Sequence, residues 1–164
     1  MSTRSIVGRT EGDGFAGRYV HWDGYPMYQG PILWAWVRAH LSDRDGLRAE
    51  LDAFVDEHTG YNLLLRAEAS APSALASECY CHARGDGFDP TDRPLTVGDP
   101  VDLSDAEWAW SVDAEAARLA LWVPSGGGWQ LRFVWYVDDE EPDWAVVERT
   151  AKERPLRGRA GGQL

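Results

Sequence analysis

The residues best suited to chemistry at neutral pH are concentrated in one hexapeptide, His-Trp-Asp-Gly-Tyr-Pro at positions 21–26. In extended backbone, His21 and Asp23 lie on the same side of the chain, so both can face one site. Histidine titrates near neutral pH, and a neighbouring carboxylate can fix its tautomer. Aromatic and basic neighbours add binding surface. We predict a ligand-binding site formed by Arg18, His21, Trp22, Asp23, Tyr25 and Tyr28.

The same hexapeptide also fits a purely structural turn. Asp23 can hydrogen-bond to its own following backbone, and Gly24 and Pro26 are residues typical of turns. In this interpretation His21 is a partly buried residue with satisfied hydrogen bonds, and Trp22 belongs to the core. The residues alone leave both interpretations open.

A second candidate catalytic group lies at the N-terminus. Removal of Met1 would give Ser2 a free α-amine, which can serve as the general base for its own hydroxyl. Ser2 to Val7, followed by Gly17-Arg18 and Asp23, resembles the start of the N-terminal nucleophile amide hydrolases. In their choloylglycine-hydrolase and acid-ceramidase branch, a Cys opens the first strand, and an Arg and an Asp orient the substrate.

That resemblance implies catalytic roles for Ser2, Arg18 and Asp23, and a catalytic version of the site would also include His21. Three features depart from the branch. Ser replaces its Cys, the Arg–Asp spacing is longer, and the chain is short for the four-layer fold of these enzymes.

The N-terminal segment also resembles an uncharacterised family of small bacteriophage and bacterial proteins. These proteins open with MSTR(S/A)-I and carry Y-C-HWDGYP, and here residues 1–6 and 19–26 match that pattern. Val20 stands where the family has Cys. The match covers about the first 40 residues, and it implies a phage-related protein without assigning an activity.

Metal and cofactor motifs are weak. Cys79, Cys81 and His82 are candidate zinc ligands, but zinc sites commonly need C-x₂₋₄-C with a second ligand pair elsewhere. The triplet Gly126–Gly128 lacks the Lys-Ser/Thr of a phosphate-binding loop and predicts a hairpin turn. The acidic run 138–141 lacks the spacing of a calcium loop. We therefore expect no metal and no cofactor.

Hydrophobic periodicity places these motifs in an α+β domain. Alternating apolar residues predict strands, and apolar residues at helical spacing predict helices between them. Residues 3–9 and 15–22 are predicted to form two strands of an N-terminal hairpin. The strands predicted within residues 107–137 form a C-terminal meander. The predicted helices are 31–41 and a second from Ser42 or Asp43 through about His58, and residues 84–105 read as a long loop.

The expected architecture is one antiparallel sheet, hairpin plus meander, with two or more helices packed on one face. Residues 1–150 form this single domain, and residues 151–164 form a flexible basic tail. Most of the nine tryptophans are expected in the core.

Composition limits the possible partners. The chain of 164 residues has 27 acidic and 16 basic residues, a net charge of −11. A nucleic-acid binder needs a basic surface, so nucleic acid is a poor partner. No apolar run reaches the ~20 residues of a membrane span, and no secretory signal precedes residue 12, so we expect a cytoplasmic protein without a membrane partner.

These observations favour a non-enzymatic acidic binding protein of phage or mobile-element type. It would sequester a small ligand, or inhibit a protein partner with a basic surface, through a site near the HWDGYP turn. Two alternatives remain: a small amide hydrolase using Ser2 with Arg18 and Asp23, and an accessory domain with no site.

Overall fold

The computed structural model describes residues 3–20, 23–56, 60–61, 93–101 and 105–153. Within these ranges the chain forms one seven-stranded sheet and three helices, and the fold is α+β as predicted. The strands are β1 Ser5–Glu11, β2 Gly14–Val20, β3 Gly60–Tyr61, β4 Leu95–Thr96, β5 Trp108–Asp113, β6 Arg118–Ser125 and β7 Gly128–Tyr136. The helices are α1 Pro26–Ala39, α2 Arg44–Asp56 and α3 Trp144–Ala151.

The sheet joins the N-terminal hairpin to the C-terminal meander. Its order is β3-β2-β1-β5-β6-β7, with β4 pairing to β2 outside this path. The predicted antiparallel units, β1–β2 and β5–β6–β7, are both present. They meet through a parallel pair in which Ser5 lies opposite Trp108. The sheet is therefore mixed, because the long connection between β2 and β5 brings the chain back in the direction of β1.

Glycines with positive φ close both hairpins. Gly12 has φ +54° between β1 and β2, and Gly126 and Gly127 have φ +62° and +86° between β6 and β7. A side chain resists this left-handed region, so glycine suits these positions. The predicted hairpin turn at Gly126–Gly128 is confirmed.

The first helix begins earlier than the sequence analysis predicts. Pro31 was expected near its first turn, but α1 starts at Pro26 and carries Pro31 inside the helix. Proline at the first helical position costs no hydrogen bond, because the backbone N–H at that position lacks an intrahelical partner whichever residue stands there. The hexapeptide therefore runs directly into α1, and Tyr28 is a helical residue.

The helices pack on one face of the sheet around a tryptophan cluster. The ring of Trp144 in α3 lies 6.1 Å from those of Trp34 and Trp110 and 5.4 Å from that of Trp135, measured between centroids. Gly30 of α1 lies directly against this ring. Of the tryptophans in the described ranges, six are buried and two are partly buried, which agrees with the expected use of tryptophan as core.

The opposite face of the sheet carries a smaller apolar cluster, built on Ile6, Phe15 and Trp122. The segment from 93 to 101 packs here, and its β4 strand falls inside the stretch predicted as a loop. Among the described helices, none is long and apolar enough to cross a membrane. The predictions for residues 62–92, including Cys79, Cys81 and His82, fall outside the described residues, as does the tail from 154 onward.

Candidate functional site

The turn from β2 into α1 is anchored to the middle of the sheet by its glycine. The Gly24 N–H donates to the Thr3 carbonyl at 2.8 Å, and the Gly24 carbonyl accepts from the Trp110 indole N–H at 3.3 Å. A Cβ at Gly24 would lie 2.5 Å from the Ser5 Cβ, so only glycine fits without a shift. The turn therefore occupies a fixed position against the start of β1.

Asp23 precedes this glycine in an uncommon backbone conformation. Its φ is +53°, in the left-handed region that Asp and Asn adopt more readily than most residues. The Asp23 side chain is only partly buried. The conformation thus turns the chain sharply while leaving a carboxylate near the surface.

A buried polar pair lies beneath the turn. The Ser5 hydroxyl donates to the Gln29 side-chain oxygen at 2.6 Å, and both residues are fully buried. The Gln29 amide nitrogen has no hydrogen-bond partner among the residues that the structure describes. A buried amide donor left without an acceptor is destabilising, so this pair positions α1 on β1 at some cost in stability.

Aromatic and apolar side chains form the outer surface of the turn. The partly buried rings of Tyr25 and Tyr28 lie 6.1 Å apart, and Met27, which lies between them in the sequence, is 55% exposed. Desolvation raises the pKa of Tyr25, and the nearby Asp23 and Glu148 carboxylates raise it further. Carboxylates therefore lie close enough to this aromatic surface to act on it electrostatically.

Glu148 reaches this surface from α3. Its Oε2 accepts from the Met27 backbone N–H at 3.1 Å, which satisfies a free donor in the first turn of α1. A carboxylate at a helix N-terminus is also favoured by the helix dipole. The residue ties α3 to the turn and places a second negative charge beside it. We call Asp23, Tyr25, Met27, Tyr28 and Glu148 the aromatic–acidic patch.

The residues predicted for the site fall into three groups. Asp23, Tyr25 and Tyr28 come together on this patch. Arg18 lies in the core, where it is 4% exposed and its Nε donates to the Val55 carbonyl at the end of α2. Ser2, His21 and Trp22 lie outside the described residues, and their assignment stays a prediction.

A second group of side chains near the patch was missed by sequence reasoning. Lys152, just after α3, places its Nζ 4.8 Å from the centroid of the Trp108 ring and 2.8 Å from Glu107 Oε2. Met27 and Glu148 were missed as well. No local pattern could reveal these pairings, since the partners lie on distant parts of the chain.

Two surface cavities flank Lys152. One of about 250 Å³ is lined by Met27, Trp108, Ala145, Glu148, Arg149 and Lys152. The other, of about 330 Å³, has Glu107, Gln130, Arg132, Lys152 and Glu153 among its lining residues. In the part of the chain that the structure describes, no three potential metal-ligating side chains come together.

Comparison with known proteins identifies no relative. No family model matches the sequence, and neither a curated protein nor a solved structure shows significant similarity to the chain. A proposal for the function therefore rests on the geometry of the patch and its surroundings.

Proposed function

We propose that this protein is a non-enzymatic acidic binding protein that docks a basic protein surface onto its aromatic–acidic patch. The observation that carries the proposal is the convergence of two carboxylates, from Asp23 and Glu148, on the exposed Met27 and the partly buried rings of Tyr25 and Tyr28. These groups come from two separate helices and the turn before one of them, on a chain of net charge −11.

The chemistry of the patch matches a cationic partner. Aromatic rings attract ammonium and guanidinium groups through their quadrupole, and carboxylates bind the same groups by charge-assisted hydrogen bonds. Methionine is flexible and adapts to irregular partner surfaces. A strongly negative protein also steers basic partners toward itself before contact.

The experiment is a photo-crosslinking comparison in host-cell extract. A photoreactive amino acid at Met27, the exposed residue of the patch, is expected to crosslink a basic protein. Adding Asp23→Asn and Tyr25→Leu should abolish that crosslink. The matched control is Asp138→Asn with Tyr136→Leu, which makes the same chemical changes on exposed residues of β7 and its following turn. Equal crosslinking by both double variants would overturn the proposal.

A structural turn without a binding role predicts a different outcome. The hydrogen bonds of Gly24 to Thr3 and Trp110 show how the hexapeptide contributes to packing. If that is its whole role, Asp23→Asn with Tyr25→Leu should lower the thermal unfolding midpoint and leave crosslinking intact. The binding proposal predicts lost crosslinking. Tyr25 packs against the core, so the unfolding midpoint should fall in either case, and the crosslink separates the two interpretations.

A second candidate function is the N-terminal nucleophile hydrolase. One observation favours it: the Thr3 carbonyl accepts from Gly24 N–H, so the start of β1 lies beside the turn that carries Asp23. Ser2 directly precedes Thr3 in the chain. Intact mass after treatment with a serine-reactive electrophile tests this function. A hydrolase should lose Met1 and gain one adduct that Ser2→Ala lacks, whereas retained Met1 or no adduct excludes it.

A further inference from the structure

We propose that Glu107 and Trp108 form a binding site for a cationic side chain, which Lys152 fills in the free protein and a lysine or arginine of the partner takes over on docking. The identity of the partner rests on the proposed function, but the cation site itself can be tested without the partner. The site is formed by the residue before β5, the first residue of β5 and the residue after α3, beside the aromatic–acidic patch.

The geometry around Lys152 is that of a cation held by two complementary groups. Its Nζ lies 4.8 Å from the Trp108 ring centroid and 2.8 Å from Glu107 Oε2. A ring face and a carboxylate attract the same charge, by the quadrupole and by an ion pair. Because the Lys152 ammonium group already lies between this ring and this carboxylate, the position accepts a cation. Lys152 is also the only lysine of the chain.

The ion-pair half of the contact is exposed and therefore replaceable, whereas Trp108 is only 1% exposed, with the Lys152 ammonium over its ring. The side chains of Lys152 and Glu107 are 55% and 48% exposed, and ion pairs that water reaches are weak. A competing cation can approach Glu107 from solvent. Lysine is also long and flexible, so it can leave the ring without a change in the backbone.

Displacement of Lys152 would open a continuous groove. Its side chain lines both the cavity of about 250 Å³ and the cavity of about 330 Å³, and Trp108 lines the first of them. Met27 and Glu148 at one end of this groove belong to the patch. A partner seated on the patch can therefore extend a basic side chain along the groove toward Glu107.

The single lysine gives a direct test on the wild-type protein. Biosynthetic ¹³C-lysine labelling yields signals from Lys152 alone, and the Trp108 ring should shift its side-chain protons upfield. Titration with N-acetyl-arginine methylamide should move these signals toward those of a free lysine. Sodium chloride at equal ionic strength should move them much less. Identical responses to the two solutes, or no response to the arginine compound, would overturn the proposal.

Variants test the same site from the other direction. Lys152→Met keeps the apolar stem and removes the competing charge, so affinity for the arginine compound should rise by about tenfold. Adding Glu107→Gln should cancel the gain. The control Arg149→Met removes a positive charge from the same cavity and should change affinity by less than about twofold. An equal gain in Arg149→Met would show a general charge effect and no defined site.

The outcomes separate this inference from the proposed function. If the arginine compound displaces Lys152 while the patch variants leave partner crosslinking intact, the cation site stands and the docking function falls. If crosslinking depends on the patch but Lys152 does not respond to the compound, the docking function stands and the cation site falls.

Discussion

Two glycines show how closely single residues are fitted around the candidate site. Gly24 lies on Ser5 at the start of β1, and Gly30 lies on the Trp144 ring. At either position the first atom of any larger side chain would overlap a neighbour. These contacts set the distance of the turn from the sheet and of α1 from α3, so the position of the patch depends on them.

Replacing Gly30 with alanine should destabilise the protein despite the better helix propensity of alanine. The new Cβ would lie 2.4 Å from Trp144 Cε3, and overpacking of this kind outweighs the propensity gain. We expect the free energy of unfolding to fall by about 1–2 kcal/mol. Urea denaturation measures this change. Gly128→Ala is the control, since a Cβ there meets nothing within 4 Å and should leave stability nearly unchanged.

At the scale of elements, α3 links the patch to the cation site. Trp144 in its first turn packs in the core, Glu148 caps α1, and Lys152 follows its last turn. The Asp143 side chain caps the helix by accepting from the Ala145 and Val146 N–H groups. One short helix therefore positions two of the charged groups on which the proposals depend.

Removing the N-terminal cap of α3 should lower the free energy of unfolding and loosen the helix that holds Glu148 in the patch. Asp143→Ala leaves two N–H groups without their acceptor, and we expect a loss of about 1 kcal/mol in the free energy of unfolding. Asp139→Ala, an exposed acidic residue before the helix, controls for the lost charge. Equal stability of the two variants in thermal and denaturant unfolding would contradict a capping role.

The segment that carries β4 should confer pH-dependent stability. Hydrogen bonds from Arg93 and from Thr96 hold the pKa of Asp99 well below its ordinary value. A pKa that is lower in the folded state adds stability above the ordinary carboxyl value near ~4, and this stability is lost as the pH falls below it. Asp99→Asn should therefore be less stable than wild type at neutral pH, with the difference shrinking in acid. A difference that stays constant down to about pH 2 would contradict this assignment.

Local patterns predicted the elements better than their limits. Alternation and turn glycines located the hairpin β1–β2 and the meander β5–β6–β7, because both are formed by neighbouring segments of the chain. The start of α1 was wrong because two prolines, Pro26 and Pro31, both fit a first turn. Residues 144–149 form a helix because the Asp143 side chain caps it and Trp144 packs in the core.

At the scale of the whole molecule, topology determines which residues meet at the candidate site, and net charge determines the field around it. Asp23, Tyr25 and Tyr28 could be grouped from sequence because they are neighbours in the chain. Glu148 and the Glu107–Trp108–Lys152 group could not be found from the sequence. Their side chains meet only because α3 packs on α1 and against β5. The net charge of −11 surrounds both with a negative field.

Association with a basic partner should be strongly salt-dependent. Attraction between opposite net charges speeds encounter and is screened as ionic strength rises, with a Debye length of ~10 Å at 0.1 M salt. We expect the association rate to fall by about tenfold or more between 20 mM and 500 mM sodium chloride. The dissociation rate should change much less. Stopped-flow kinetics with the purified partner that crosslinking identifies measures both rates. An association rate that does not depend on salt would contradict electrostatic steering.

The parallel pairing of β1 with β5 also bears on how the chain folds as it is synthesised. Ser5 pairs with Trp108, so β1 acquires this neighbour only after the residues up to and including β5 have left the ribosome. Contacts this distant in sequence slow folding and leave an open strand edge in the meantime. A nascent chain that ends before Trp108 lacks the strand that completes the middle of the sheet. Such chains should depend on chaperones, while a chain that also includes α3, whose Trp144 packs in the core, should fold without them.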